Sequence, residues 1–279
     1  MTINADIPRL LLISMEFFGY LALICIGIIL SLLGGGGSLL AVPILVYLFS
    51  LDIVTASSYS LFIVGTTSLV GALLKQKEQQ ADLRCGMIFS TSSVVAIFAT
   101  RKWIIPSIPE EVMLLNMLIA KRALILGVFA ILLITASLMI LLRRTLHSTD
   151  GGKQRLKILL PVSFTTGILV GFVGVGGGFL IVPSLTVFAR LPFKIAVGTT
   201  LLIIGLSSLI GFVGDVMNYP IDWLFLLMIT GLATAGMLLG SIYSPKIPIR
   251  YLRLSFGGIM LITAVLILIK ESMPHFTHP

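Results

Sequence analysis

The chain has 279 residues, 57% of them hydrophobic and only 11% charged, with a mean hydropathy of +1.13. Soluble chains carry about 25% charged residues, so a water-soluble globule, a disordered scaffold and a disulfide-stapled secreted domain are excluded; a polytopic membrane protein remains. The 19 Lys and Arg against 11 Asp and Glu lie mostly between apolar runs, where they read as topology signals and not as a nucleic-acid surface.

A span needs about 20 apolar residues to cross a hydrocarbon core about 30 Å thick. In chain order the apolar segments fall at about 10–33, 38–50, 55–74, 85–100 and 122–142, then, after a basic stretch, at about 158–173, 178–189, 195–214, 222–243 and 252–270. The first run exceeds a signal-peptide core in length and ends in four glycines in place of a cleavage motif, so it reads as mature structure. The expected organisation is a membrane repeat over 1–142, a cytoplasmic linker over 143–157 and a second membrane repeat over 158–279.

The two sets are copies of one another. Gly34 to Gly71 aligns without a gap onto Gly174 to Gly211, an offset of 140 residues, with 15 of 38 positions identical. The identities include Gly34/Gly174, Gly36/Gly176, Gly37/Gly177, Pro43/Pro183, Ala56/Ala196, Gly65/Gly205, Ser68/Ser208 and Gly71/Gly211. Shared apolar composition does not place that many glycines and a proline in register.

Loop charge indicates how the copies are oriented. With five legs per half, the loops near 75–84, 143–157, 190–194 and 244–253 share one side and carry 13 Lys and Arg, against six on the other. If each glycine cluster were a kink within one crossing, the division would be ten against nine. The positive-inside bias therefore favours five legs, halves of opposite orientation and both termini outside the cytoplasmic membrane. The stretch from Arg101 to Arg122 fits this division poorly and reads as an amphipathic interfacial segment.

Three or four glycines together end a helix, since each costs about 1 kcal/mol relative to Ala. Gly34, Gly35, Gly36 and Gly37, and again Gly174, Gly176, Gly177 and Gly178, interrupt apolar runs, and the runs after them are short. Pro43 and Pro183 are expected to shorten those runs further by pushing Val42 and Val182 out of the α region. Backbone freed from a helix within hydrocarbon is tolerated only where it packs in protein or lines a cavity, and the start of a half-helix favours an anion. Two such starts in matching positions of two halves are the sequence pointer to a transporter binding site. Hydroxyls at Ser38, Thr66, Thr67, Ser68, Thr199, Thr200, Ser207 and Ser208 could donate to an oxyanion without a buried charge. Each could equally bond back to the carbonyl four residues earlier.

No acidic, basic or histidine side chain is read as lying in the middle of a span, and Cys25 and Cys85 are unclustered. Catalytic side chains, a metal site and a cofactor are therefore not expected, and GxxxxGK[ST] is missing. The expected fold is all-α: a polytopic integral membrane protein of two inverted-topology repeats of about five helical segments, giving 8 to 10 membrane segments. Its expected partners are a small anionic substrate and the lipid bilayer, not nucleic acid; oligomeric state and the direction of transport stay open.

The duplicated GGGGSLLAVP (34–43) and GVGGGFLIVPSL (174–185), with Ala196-Val-Gly198-Thr199-Thr200 and the run from Ile247-Pro248 to Gly257, resemble the TauE/SafE family of sulfite-exporter-like permeases. The resemblance covers essentially the whole chain. The first half departs from the family pattern, with Ala56-Ser-Ser-Tyr-Ser where Ala-x-Gly-Thr-Ser is usual and a longer insert between about 101 and 121. The resemblance implies a secondary carrier that moves sulfite or organosulfonates across the cytoplasmic membrane; with catalytic side chains not expected, an enzyme is not, and two halves around one site are expected to work by alternating access. The competing reading is a membrane assembly or sensor protein that binds an anion or a partner without transporting.

Overall fold

In a computed structural model the residues described are 6–104, 107, 111–114, 117–142, 152–173, 178–216 and 221–272. Among them are ten α-helices of ten or more residues. The first five are α1 (Asp6–Leu33), α2 (Gly36–Leu48), α3 (Ile53–Lys77), α4 (Leu83–Ala99) and α5 (Lys121–Leu142). The second five are α6 (Gly152–Val173), α7 (Gly178–Val187), α8 (Phe193–Val216), α9 (Trp223–Tyr243) and α10 (Ile249–Ser272). Every apolar segment read from the sequence is a helix, displaced by a few residues at its ends.

The stretches Thr55–Lys77, Phe193–Val213, Trp223–Tyr243 and Ile249–Ile269 are each long and apolar enough to cross a membrane. α9 shows the match most simply: its 21 residues rise about 31 Å at 1.5 Å each, with Trp223 and Tyr243 at its two ends. The outward surface is apolar as well, with Leu224 85%, Leu142 76% and Leu73 66% exposed. In water such a surface would aggregate; against lipid it is the stable one.

Inside, one apolar core gathers Leu23, Leu45, Ile63, Ile203 and Ile229 from α1, α2, α3, α8 and α9. A second joins Leu133, Val182, Phe256 and Met260 from α5, α7 and α10. Packing is close enough that glycines set it. α3 and α8 cross antiparallel, with Leu61 beside Gly211, Gly65 beside Leu209, Leu69 beside Gly205 and Leu201 beside Gly71.

These contacts recur with their partners exchanged. Residues 65 and 205 stand one 140-residue interval apart, as do 69 and 209, so Gly65 on Leu209 and Gly205 on Leu69 are one contact made twice. Gly27 packs on Ala233 between α1 and α9, and Gly167 on Ser93 between α6 and α4, by the same interval. The helix caps follow suit. Asp82 Oδ1 accepts from the Cys85 N–H at 2.9 Å to cap α4, and Asp222 Oδ1 accepts from the Phe225 N–H at 3.1 Å to cap α9. The Asp82 N–H donates to Thr199 Oγ1 at 2.9 Å, and the Asp222 N–H to Tyr59 Oη at 2.8 Å. Ser50 and Arg190, also 140 apart, both take φ of +53° just beyond the short helices.

Four expectations are corrected. Helices α2 and α7 run on through Pro43 and Pro183. A proline ring removes a single backbone donor, a loss that helices packed among others in a membrane tolerate. The insert after α4 continues as a π-helical turn, Thr100–Ile104, and a hairpin pairing Glu111–Leu114 with Met117–Ala120, so the described residues include a small strand pair beside the helices where an all-α chain is expected. α6 begins at Gly152, inside the expected linker. Lys75, assigned to a loop by its charge, is part of α3 and 98% buried, its exposure being 2%. Its ammonium is satisfied there by Ser244 Oγ at 2.8 Å, Glu78 Oε2 at 3.4 Å and Gln80 Oε1 at 3.4 Å.

Candidate functional site

The first interruption is built by backbone that only glycine provides cheaply. α1 stops at Leu33 because Gly34 adopts φ of +72°, in the left-handed region. Gly35 is extended, and α2 restarts at Gly36. The Ser38 hydroxyl donates to the Gly35 carbonyl at 2.7 Å and the Ser38 N–H to the same oxygen at 3.3 Å, so this hydroxyl serves the turn. A Cβ on Gly37 would stand 2.7 Å from the Ile26 carbonyl oxygen, which places the start of α2 hard against α1.

In the second half Gly174, Gly176 and Gly177 lie outside the described residues, and Gly178 opens α7. Gly178 meets the first interruption directly. A Cβ on Gly35 would come within 2.5 Å of the Gly178 carbonyl carbon and 2.7 Å of its Cα. A Cβ on Gly178 would likewise strike Gly35 Cα, and would meet Ile204 Cδ1 as well. Main chain from the two halves therefore touches here, with no room for a side chain or a ligand between Gly35 and Gly178 themselves.

Beside that contact runs one face of α8. Val197 packs on Gly34, where a Cβ would lie 2.9 Å from the Val197 carbonyl oxygen, and Ile204 packs on Gly178. Thr200 follows Val197 by three residues and precedes Ile204 by four, so it shares their face. It is fully buried, and among the described residues its hydroxyl has no hydrogen-bond partner. Other threonines in these helices bond back: Thr165 to Pro161 O at 2.7 Å, Thr230 to Leu226 O at 2.6 Å, Thr263 to Ile259 O at 2.8 Å. Thr200 does not.

The remaining hydroxyls divide. Ser207 bonds back to Ile203 O at 2.8 Å. Thr199 accepts from the Asp82 backbone, and Thr67 Oγ1 lies 3.5 Å from Thr234 Oγ1. Ser68 is buried without a partner among the described residues, and Ser208 is buried. Thr66 is half-buried; Pro43 is exposed on α2, whereas Pro183 is buried in α7. The candidates brought together are thus Gly34, Gly35, Gly178 and Thr200, while Ser38 and Ser207 serve the local backbone and Thr199 ties α8 to the backbone at the start of α4. Among the described residues no group of three metal-ligating side chains occurs.

Two residues carry roles that the sequence reading missed. Tyr59, part of the departure at 56–60, gives its hydroxyl to the hydrogen bond that Thr199 makes in the other half. The signal for it was positional: 59 and 199 are 140 apart. Lys75 comes together with Lys194, Gln80 and Ser244 beside Val197 and Leu32. They fall within three of the four stretches that loop charge assigns to one side.

The family model for the sulfite exporter TauE/SafE matches residues 20–267. A "Probable membrane transporter protein" of Xylella fastidiosa (strain 9a5c) is 30% identical over 202 residues, covering 71% of this chain and 73% of the relative. The "Probable membrane transporter protein YunE" of Bacillus subtilis (strain 168) is 27% identical over 270 residues, covering 87% and 91%. From the same organism, the "Probable membrane transporter protein YdhB" is 25% identical over 248 residues, covering 87% and 98%. No solved structure matches the chain. Matched by that family model over most of its length and built of packed, lipid-facing apolar helices, the chain belongs to the sulfite exporter TauE/SafE family of membrane transporters.

Proposed function

We propose that the chain is a secondary carrier of small sulfur-containing oxyanions, sulfite or an organosulfonate. The substrate is held beside the junction of the two glycine interruptions, and alternating access comes from rocking of two inverted halves. One observation carries the site: the Thr200 hydroxyl is buried, unpartnered among the described residues, and on the face of α8 that spans the contacts with Gly34 and Gly178. A buried hydroxyl without a partner costs about 1–3 kcal/mol. An oxyanion that accepts from it, and from N–H groups freed at the interruptions, recovers that cost without a fixed buried charge.

Support for inverted halves comes from the exchanged contacts. Antiparallel crossing of α3 on α8 with Gly65–Leu209 mirrored by Gly205–Leu69 is what a two-fold axis in the membrane plane produces. The Gly35–Gly178 contact is closed in this conformation, so passage of the anion requires the halves to part there. The location is the cytoplasmic membrane, with the basic loops inward and both termini outward.

The test is counterflow of labelled sulfite in proteoliposomes, with sulfate and chloride as competitors and Thr200→Val beside the wild type. Sulfite exchange that drops about tenfold in Thr200→Val while the variant unfolds no earlier than wild type supports the reading. Binding without exchange by the wild type would identify a sensor or assembly protein and overturn it.

A further inference from the structure

At the end of α3 the two halves are tied together on the side of the basic loops. Lys75 is buried there and donates to Ser244 Oγ, in the other half, at 2.8 Å; Glu78 Oε2 and Gln80 Oε1 each lie 3.4 Å from the same ammonium. The Gln80 carbonyl stands so close against Gly198 that no Cβ would fit between them, and the Asp82 N–H donates to Thr199 Oγ1 at 2.9 Å. Val197 lies beside Lys75 and Ser244, packs on Gly34, and precedes Thr200 by one helical turn. Contacts between the halves at Lys75, Ser244, Gln80 and Gly198 therefore close the way along α8 to Thr200 from this side.

Lysine is a costly choice for such a tie. Taking an ammonium out of water is penalised, and an apolar side chain of similar volume often holds a buried position as well or better. The opposite end of the α3–α8 pair is indeed held by apolar groups: the rings of Phe62 and Phe212 have centroids 4.8 Å apart, and Trp223 lies 6.2 Å from each. Helix caps and glycine contacts repeat at the interval of 140, but this tie does not, since Asp215 and Ile104 stand at the positions equivalent to 75 and 244. What lysine adds is a second stable state, paired with Ser244 while the halves are together and hydrated once they part; an apolar residue holds them shut. Resting on the carrier reading above, we propose that the Lys75–Ser244 hydrogen bond is the latch of a gate between the halves on the side of the basic loops. It is shut in this conformation, and it breaks, with Lys75 taken up by water, when the site opens to that side.

Opening is read from the rate at which a membrane-impermeant maleimide labels Val197→Cys, a position 3% exposed in the shut conformation. The full chain is used in a Cys25→Ala, Cys85→Ala background, in inverted membrane vesicles whose outer face is the cytoplasmic one. Ser244→Ala takes the shortest hydrogen bond from Lys75 in the shut state and should raise labelling about tenfold. Lys75→Met removes the same hydrogen bond yet favours the shut state, so labelling should fall about tenfold. Sulfite exchange should fall with it, while unfolding comes no earlier than in wild type. Labelling that moves the same way in both variants, or in neither, makes the bond a structural tie and overturns the latch. Should Lys75→Met fail to insert, Glu78→Gln, whose side chain is one-third exposed, must raise labelling about twofold beside the rise in Ser244→Ala; no rise in either overturns the proposal. Labelling does not depend on transport. Wild-type sulfite exchange with unmoved labelling leaves the carrier reading standing without the latch, and opposite labelling shifts without any exchange keep the latch and remove the carrier.

Discussion

Gly35→Ala tests the junction of the two halves with a single methyl group. Gly35 has φ of −170°, extended backbone that any residue adopts, so conformation does not forbid alanine there. What forbids it is Gly178, whose carbonyl carbon and Cα would lie 2.5 and 2.7 Å from the new Cβ. Carbon atoms settle at about 3.5–4.0 Å, so main chain must retreat by about 1 Å, with no flexible side chain to absorb it. Overpacking of this kind costs about 1–3 kcal/mol. Gly231→Ala is the control: nothing stands within 4 Å of its Cβ, and a helical Gly→Ala gains up to about 1 kcal/mol. Unfolding in mixed micelles should therefore come earlier for Gly35→Ala and no earlier for Gly231→Ala, and sulfite counterflow should fall about tenfold only in the former. Equal unfolding and equal flux in the two variants would refute the contact.

Thr200→Val removes a buried hydroxyl that has no partner among the described residues and is expected to stabilise the empty protein while lowering flux, read as opposite shifts in unfolding and counterflow; loss of stability would show that the hydroxyl has a structural partner. Asp82→Ala and Asp222→Ala each remove one cap and should cost about 0.5–2 kcal/mol in unfolding experiments, by similar amounts because the caps occupy equivalent places. Tyr59→Phe leaves the Asp222 N–H without its acceptor and Thr199→Val does so for Asp82, so each should destabilise by about 1–3 kcal/mol. Glu78→Gln, at a partly exposed ion pair, should shift unfolding by less than about 1 kcal/mol.

Much of the architecture was legible because hydrophobic runs long enough to cross a bilayer are few and unambiguous, and because duplication left a register to read. The interval of 140 that aligned the glycines also relates the Asp82 and Asp222 caps, which no composition argument would single out. Pro43 and Pro183 misled because proline preference in isolated helices ignores neighbours that absorb a missing donor. Lys75 was invisible for the opposite reason: a lysine beside a run of polar residues reads as solvated loop, and only tertiary placement next to Ser244 and Gln80 buries it. Among the hydroxyls, sequence could not say which were spent. Thr199 and Thr200 are adjacent and chemically identical, yet one accepts from Asp82 and the other meets no partner among the described residues.

Selenite offers the most direct test, since it carries the shape and charge of sulfite on an atom with a measurable anomalous signal. Crystals grown with selenite should show an anomalous peak within hydrogen-bond reach of Thr200 Oγ1, beside the Gly35–Gly178 contact. A peak found only elsewhere in the protein, or selenite found only on the lipid-facing surface, would contradict a binding site at the junction of the two halves.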